Sequence, residues 1–179
     1  MKKLSRYLIP LVSAAILIGI DQLTKYLVDT NMALNDYIEL IPGIFGLCYI
    51  QNSGTAWGIF AGMHMHYFFV VMTAVLLLAM VFAYVWFLRD FKFRPLNIVL
   101  VVLFSGAIGN MLDRIRYHYV IDFLYFKLID FPVFNVADIY VVVSMFLLAY
   151  LLLFKYKDED FQWKAEKNKK SDQNDASDI

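Results

Sequence analysis

Two aspartates in this sequence stand without a neighbouring base. Asp122 is flanked by Ile121 and Phe123, and Asp138 by Ala137 and Ile139 within Phe134-Asn135-Val136-Ala137-Asp138-Ile139. Two carboxylates brought together in a low-dielectric setting do not both ionise cheaply. They share a proton, so that one serves as base and the other as acid. That is the equipment of an aspartic protease. Other acids have local company. Asp21 has Lys25 four residues on, in the favoured acid-before-base order, and reads as a self-neutralising pair; Asp113 adjoins Arg114, with Arg116 nearby.

A second polar concentration lies in Gly106-Ala107-Ile108-Gly109-Asn110-Met111-Leu112-Asp113-Arg114. In a helix, Gly106, Asn110, Asp113 and Arg114 share one face at spacings of three and four. Ionisable groups among hydrocarbon are costly, about 2.5 kcal/mol or more each at a bilayer centre, which makes such a face a candidate functional site. The amides Asn52, Asn110 and Asn135 admit two readings, interhelical glue or active-site donors and acceptors. Gly106 and Gly109 equally permit close helix packing. Cys48 lies in a strand-like run, and His64, His66 and His118 are near no serine or carboxylate motif, so loop or interface positions are expected for them. No metal-binding pattern such as H-E-x-x-H is present, and neither metal nor cofactor is expected.

The elements that position these groups are set by composition. Of 179 residues, 61% are hydrophobic and 18% charged, with mean hydropathy +0.60, well to the apolar side of ordinary soluble domains. Zero net charge argues against a nucleic-acid binder, and a single cysteine excludes an intrachain disulfide. Four apolar runs, about residues 10–28, 67–88, 96–112 and 137–154, have the length of membrane-crossing helices. The first follows Lys2, Lys3 and Arg6 like a signal peptide, but no A-x-A-like cleavage site follows, and it reads as a retained helix.

Basic residues precede the first run, separate the second from the third (Arg89, Lys92, Arg94) and follow the fourth (Lys155, Lys157). The positive-inside rule then places both termini in the cytoplasm, with residues 29–66 and 113–136 on the other side. Within the former, Tyr37–Ile41 and residues 45–50 read as two short strands about a Pro42-Gly43 turn. The expectation is a mainly helical membrane protein: four transmembrane helices with a small extracytoplasmic sheet, as one domain over residues 1–157. Residues 158–179, charged and poor in aliphatics, are expected to be a disordered cytoplasmic tail.

The motifs Asp21-Gln22-Leu23-Thr24-Lys25, Asn52-Ser53-Gly54-Thr55-Ala56-Trp57, Gly106 to Arg114, Val120-Ile121-Asp122-Phe123 and Phe134 to Asp138, in that order, resemble those of bacterial lipoprotein signal peptidases (signal peptidase II). The resemblance implies a metal-free aspartic endopeptidase with Asp122 and Asp138 catalytic. It implies that Asn52, Gly54, Asn110, Arg114 and Asn135 line the site, and that Asp21 and Lys25 fix the first helix. The implied substrate is a diacylglyceryl-modified prolipoprotein, cut just before its lipidated cysteine at the outer face of the bacterial plasma membrane. Membrane lipids and lipoprotein precursors are the expected partners, and a monomer the expected state. Where the family usually has Phe, Gly, Gly and a small residue, this chain has Trp57, Ser105, Tyr119 and Ile139; these departures concern loop shape and pocket width. The competing reading is a small proton-coupled transporter or an assembly factor using the same buried acids; a transporter needs polar groups through to both sides, and runs such as residues 75–85 and 141–153 are almost wholly apolar.

Overall fold

The computed structural model describes residues 2–54, 65–88 and 90–161. Trp57, His64 and residues 162–179 of the expected tail lie outside them. Helix α1 (Lys2–Asn31) leads into strands β1 (Tyr37–Ile41) and β2 (Phe45–Asn52); α2 (Met65–Phe87) and α3 (Arg94–Tyr117) follow. Strand β3 (Val120–Phe126) then precedes α4 (Val136–Tyr150), which ends in a π-helical turn, Leu151–Lys155, and a short α5 (Asp158–Phe161). Four helical segments, Tyr7–Asn31, Tyr67–Phe87, Phe91–Tyr117 and Val136–Lys155, are long and apolar enough to cross a membrane. α3 packs against each of the other three long helices.

The apolar side chains face outward on these helices, as they do where hydrocarbon is the solvent. Leu78 and Phe82 on α2 and Phe146 on α4 are each more than 70% exposed. Polar side chains take the interior instead: Asp21, Lys25, Asp113 and Asn135 are buried. Gly109 and Gly106 make room for this. A Cβ on Gly109 would stand 2.5 Å from Asp21 Oδ2, and one on Gly106 would stand 2.6 Å from the Ala137 carbonyl. Both therefore serve close packing of α1 and α4 on α3.

The sheet has three antiparallel strands in the order β1-β2-β3, one more than the sequence suggests. No strand is marked here in the sequence, because Val-Ile-Asp-Phe-Leu-Tyr-Phe lacks the strict alternation of a half-buried strand. Its first four residues are buried without interruption. Ile121 and Phe123 pack with Val28 of α1, Met32 just past its end and Tyr49 of β2, which seats the sheet on the helices. Asp122 thus sits in a strand and not at a helix end as the apolar flanks suggest.

The helices also run past the apolar spans. α3 continues to Tyr117 and closes with His118 in the left-handed region, φ 69°, its N–H bonded to the Arg114 carbonyl. Asp113 is consequently an interior helical residue. At the opposite end, Asp158–Phe161 forms a helical turn where a disordered tail is expected. Phe161 packs against Phe87, Phe93 and Tyr156, and Lys92 Nζ lies 3.2 Å from Asp160 Oδ1.

Candidate active site

Local structure brings the two unpaired aspartates together. Phe134 bridges to Leu124 of β3 through reciprocal backbone hydrogen bonds of 2.7 and 3.0 Å, so that Asn135, the next residue, arrives beside Asp122. Asn135 then begins α4. Its side chain accepts from the Asp138 N–H at 3.0 Å, and Asp138 Oδ2 accepts from the Asn135 N–H at 3.1 Å. This reciprocal capping box fixes Asp138 at the first turn of α4, where the helix dipole favours negative charge. The fully buried Asn135 amide also donates to Asp122 Oδ1 at 2.6 Å. One residue therefore touches both carboxylates.

Two further amides complete the cradle. Asn52 of β2 lies diagonally across from Asp122 in the β2–β3 register, where Ile50 faces Asp122 and Asn52 faces Val120. It donates to Asp122 Oδ2 at 2.9 Å, while its Oδ1 accepts from the Gly54 N–H at 2.9 Å. Gly54 has φ +75°, and a Cβ there would meet the Phe69 ring at 2.5 Å, so glycine is required for the turn that aims Asn52. From α3, Asn110 donates to Asp138 Oδ1 at 2.7 Å and accepts from the Asn135 amide at 3.1 Å. Burial pushes the carboxyl of Asp122 up to about 6; the nearby Asp138 adds to this, and the amides of Asn52 and Asn135 oppose it. Arg114 stands within electrostatic reach of Asp138, Asp122 and Asp113, and its guanidinium lies 5.0 Å from the centre of the Phe69 ring.

Beneath the carboxylates is a buried charge cluster that the sequence reading divides wrongly. Lys25 does not belong to Asp21 alone: its Nζ lies 3.0 Å from Asp21 Oδ2 and 2.8 Å from Asp113 Oδ2. Asp113 is bound to Lys25, the Ile121 N–H and Gln22, with no ion pair to Arg114 or Arg116 among the described residues. Gln22, to which the sequence reading gives no role, donates to Asp113 Oδ1 at 2.9 Å and accepts from Arg116 at 3.0 Å. Its spacing of one and three from Asp21 and Lys25 offers no signal, because the partner groups lie about 90 residues away. Asp21 Oδ1 in turn accepts from the Ala137 N–H at 2.9 Å, fastening the start of α4 to α1.

The remaining candidates are dispersed. Cys48 is half-buried within β2, and Ser105 bonds its own helix through Val101 O at 2.7 Å. Tyr119 stacks on Tyr117, and Ile139 points outward, 40% exposed. No group of three or more His, Cys, Asp or Glu able to hold a metal occurs among the described residues. The site thus offers two carboxyl groups of unlike surroundings, cross-linked by amide donors.

A family model described as signal peptidase (SPase) II matches residues 13–154 of this chain. A lipoprotein signal peptidase of Streptococcus thermophilus (strain CNRZ 1066) is 40% identical over 144 residues, 80% of this chain and 90% of that protein. One from Streptococcus pyogenes serotype M1 is 36% identical over 152 residues, 83% and 93% of the two chains. A bacterial membrane enzyme solved by the in meso method at 1.9 Å superposes with a TM-score of 0.74 and 31% identity, over 84% of this chain and 96% of that one.

Proposed function

The chain belongs to the signal peptidase II family, and from that premise we propose that Asp122 and Asp138 are the catalytic pair with which it removes signal peptides from prolipoproteins. As a family member it is an aspartic peptidase and a multi-pass membrane protein. The observation that carries the catalytic assignment is the Asn135 amide and backbone, which contact Asp122 at 2.6 Å and Asp138 at 3.1 Å.

The chemistry follows from their unlike surroundings. Asp122, pushed up to about 6 by burial, keeps the shared proton. Asp138, at the α4 N-terminus, is the base that takes a proton from water as its oxygen attacks the scissile carbonyl carbon. The proton on Asp122 passes to the carbonyl oxygen, giving a neutral diol. Collapse of the diol returns that proton to Asp122 and moves the other from Asp138 to the departing amine. Asn52, Asn110 and Asn135 hold the carboxylates in register, Arg114 balances their charge, and Gly54 aims Asn52. Asp21 and Lys25 support the site from below, and Gly106 and Gly109 let the helices close around it.

The substrate is a diacylglyceryl-modified precursor cut before its lipidated cysteine. Its lipid chains, at about 0.8 kcal/mol per buried methylene, stay in the bilayer, which suits a site at the end of the helices. Lys92, Arg94, Lys155 and Lys157 cluster at the opposite end, supporting cytoplasmic termini, an extracytoplasmic site and a plasma-membrane location. The enzyme acts as a monomer among membrane lipids, with residues 1–157 as its peptidase domain and α5 packed against it through Phe161. The test is release of signal peptide from a lipidated prolipoprotein by the purified protein in detergent, with unlipidated precursor as control. Asp122→Asn and Asp138→Asn should each abolish release in folded protein, and the double variant should lose little more. Partial losses that multiply would reduce the pair to substrate positioning.

A further inference from the structure

At the end of the bundle away from the carboxylates, a cavity of about 610 Å³ is lined by α1, the end of α2 and the start of α3. Its walls are mostly apolar, among them Leu17, Ile98 and Val102, and Ser13, Asp90, Arg94 and Asn97 are the polar side chains that line it. A second cavity of about 190 Å³ between α1, α2 and α3 shares Pro10, Tyr84 and Val101 with the first, so the void branches.

Asn97 is the telling residue. It is 8% exposed, it lines the cavity, and its Oδ1 has no hydrogen-bond partner among the described residues. A buried amide oxygen without a donor is rare and calls for a ligand that brings one. Helical side chains lean toward the N-terminus, so Asn97 reaches back to the level of Arg94, the first residue of α3. Arg94 makes no ion pair among the described residues and lies over the Phe91 ring at 5.5 Å. Asp90, whose carboxylate accepts from the Lys92 N–H at 3.0 Å, lines the same cavity. A cation, an anion and an orphaned acceptor thus ring an apolar void at one end of membrane-spanning helices.

We propose that this cavity binds one phospholipid of the leaflet opposite the catalytic carboxylates. Its phosphate meets Arg94, a headgroup hydroxyl or ammonium donates to Asn97 Oδ1, and its acyl chain fills the space between α1 and α3. A signal peptide is the less suitable occupant, because its leading segment is basic and would meet Arg94. The site is separate from the proposed catalytic pair, and lipid binding can be read without turnover.

The test titrates the purified full chain in detergent with phosphatidylglycerol, phosphatidylethanolamine and phosphatidylcholine of equal chain length, and with glycerol phosphate. Bound lipid is counted by native mass spectrometry, and the unfolding temperature is followed alongside. The two lipids with donor-bearing headgroups should bind about tenfold more tightly than phosphatidylcholine, and glycerol phosphate should do nothing. Asn97→Leu should erase the preference, and Val102→Trp, which puts an indole into the cavity and leaves Asn97 in place, should weaken lipid binding. Equal binding of all three lipids, or an unchanged preference in Asn97→Leu, overturns the proposal. Retention of phosphatidylglycerol alone would assign the selectivity to Arg94 and remove Asn97 from it. A raised KM for lipidated precursor in Asn97→Leu, with lipid binding intact, would give the groove to the signal peptide.

Discussion

Lys25 Nζ on α1 donates to Asn110 Oδ1 on α3 at 3.0 Å, and this contact decides which way the Asn110 amide faces. With its oxygen turned to Lys25, the amide nitrogen points to Asp138 Oδ1 at 2.7 Å. The same lysine is shared by Asp21 and Asp113, so a single buried cation is joined through Asn110 to Asp138, one of the two proposed catalytic carboxylates. Lys25→Met should therefore destabilise the protein by about 3–5 kcal/mol, the usual consequence of leaving buried charge unpaired. Asp21→Asn should be milder than Lys25→Met, since Lys25 keeps Asp113. Thermal unfolding of both variants checks the order; a stable Lys25→Met protein would mean that the two acids are protonated in the fold.

Gly109 is the contact point of three helices. A methyl group there would stand 2.5 Å from Asp21 Oδ2 and 3.2 Å from the Ala137 Cβ. Gly109→Ala must displace Asp21, and with it the bonds to Lys25 and the Ala137 N–H. Unfolding temperature and cleavage rate should fall together. Gly43, with nothing within 4 Å of a built Cβ but φ +68°, is the comparison: Gly43→Ala strains only an exposed turn and should leave cleavage unchanged.

The four spans, the hairpin of β1 and β2 and the two unpaired aspartates are all legible in the sequence, because each depends on local composition or on a missing neighbour. The third strand is not. β3 is buried by contacts with Val28, Met32 and Tyr49, and its apolar run carries no alternation to mark it. The sharing of Lys25 is equally hidden, since helix spacing pairs it with Asp21 and gives no hint of Asp113 across the bundle. Asn135 stands out in the sequence only as one of three amides, and its contact to Asp122 depends on the Leu124–Phe134 bridge.

The end of the chain supplies a further prediction. A cut after Lys157 removes Phe161 from the cluster of Phe87, Phe93 and Tyr156, and Asp160 from Lys92. A cut after Phe161 keeps both. The longer protein should unfold like the full chain, and the shorter one should lose about 1–3 kcal/mol, the scale of burying an aromatic side chain. Cleavage at low temperature should survive in both, because these contacts lie at the end of the helices away from Asp122 and Asp138. Identical unfolding curves would show that α5 contributes nothing to stability.

Asp122 makes the pH dependence readable from two directions. Its carboxyl, about 6 in the fold against an ordinary 3.8, is raised chiefly by burial. A raised acid stabilises the fold while it is protonated, fully so below about pH 4, and that contribution is lost as pH rises through 6. Two pH units correspond to about 3 kcal/mol at most, so wild-type stability should decline between pH 4 and 8 by up to this amount. Asp122→Asn should lack that part of the slope; an unchanged slope would assign the decline to other groups. Asn52 adds the kinetic half. Its hydrogen bond at 2.9 Å favours the ionised form of Asp122 and opposes the rise. Asn52→Ala should move the proton of the pair to still higher affinity, carrying the alkaline limb of the pH–rate profile upward. Because the carboxyls titrate together, the displaced limb belongs to the pair and not to one residue. A limb that moves downward in Asn52→Ala would show that Asp122 is not the member holding the shared proton, and the roles of acid and base would pass to the other assignment.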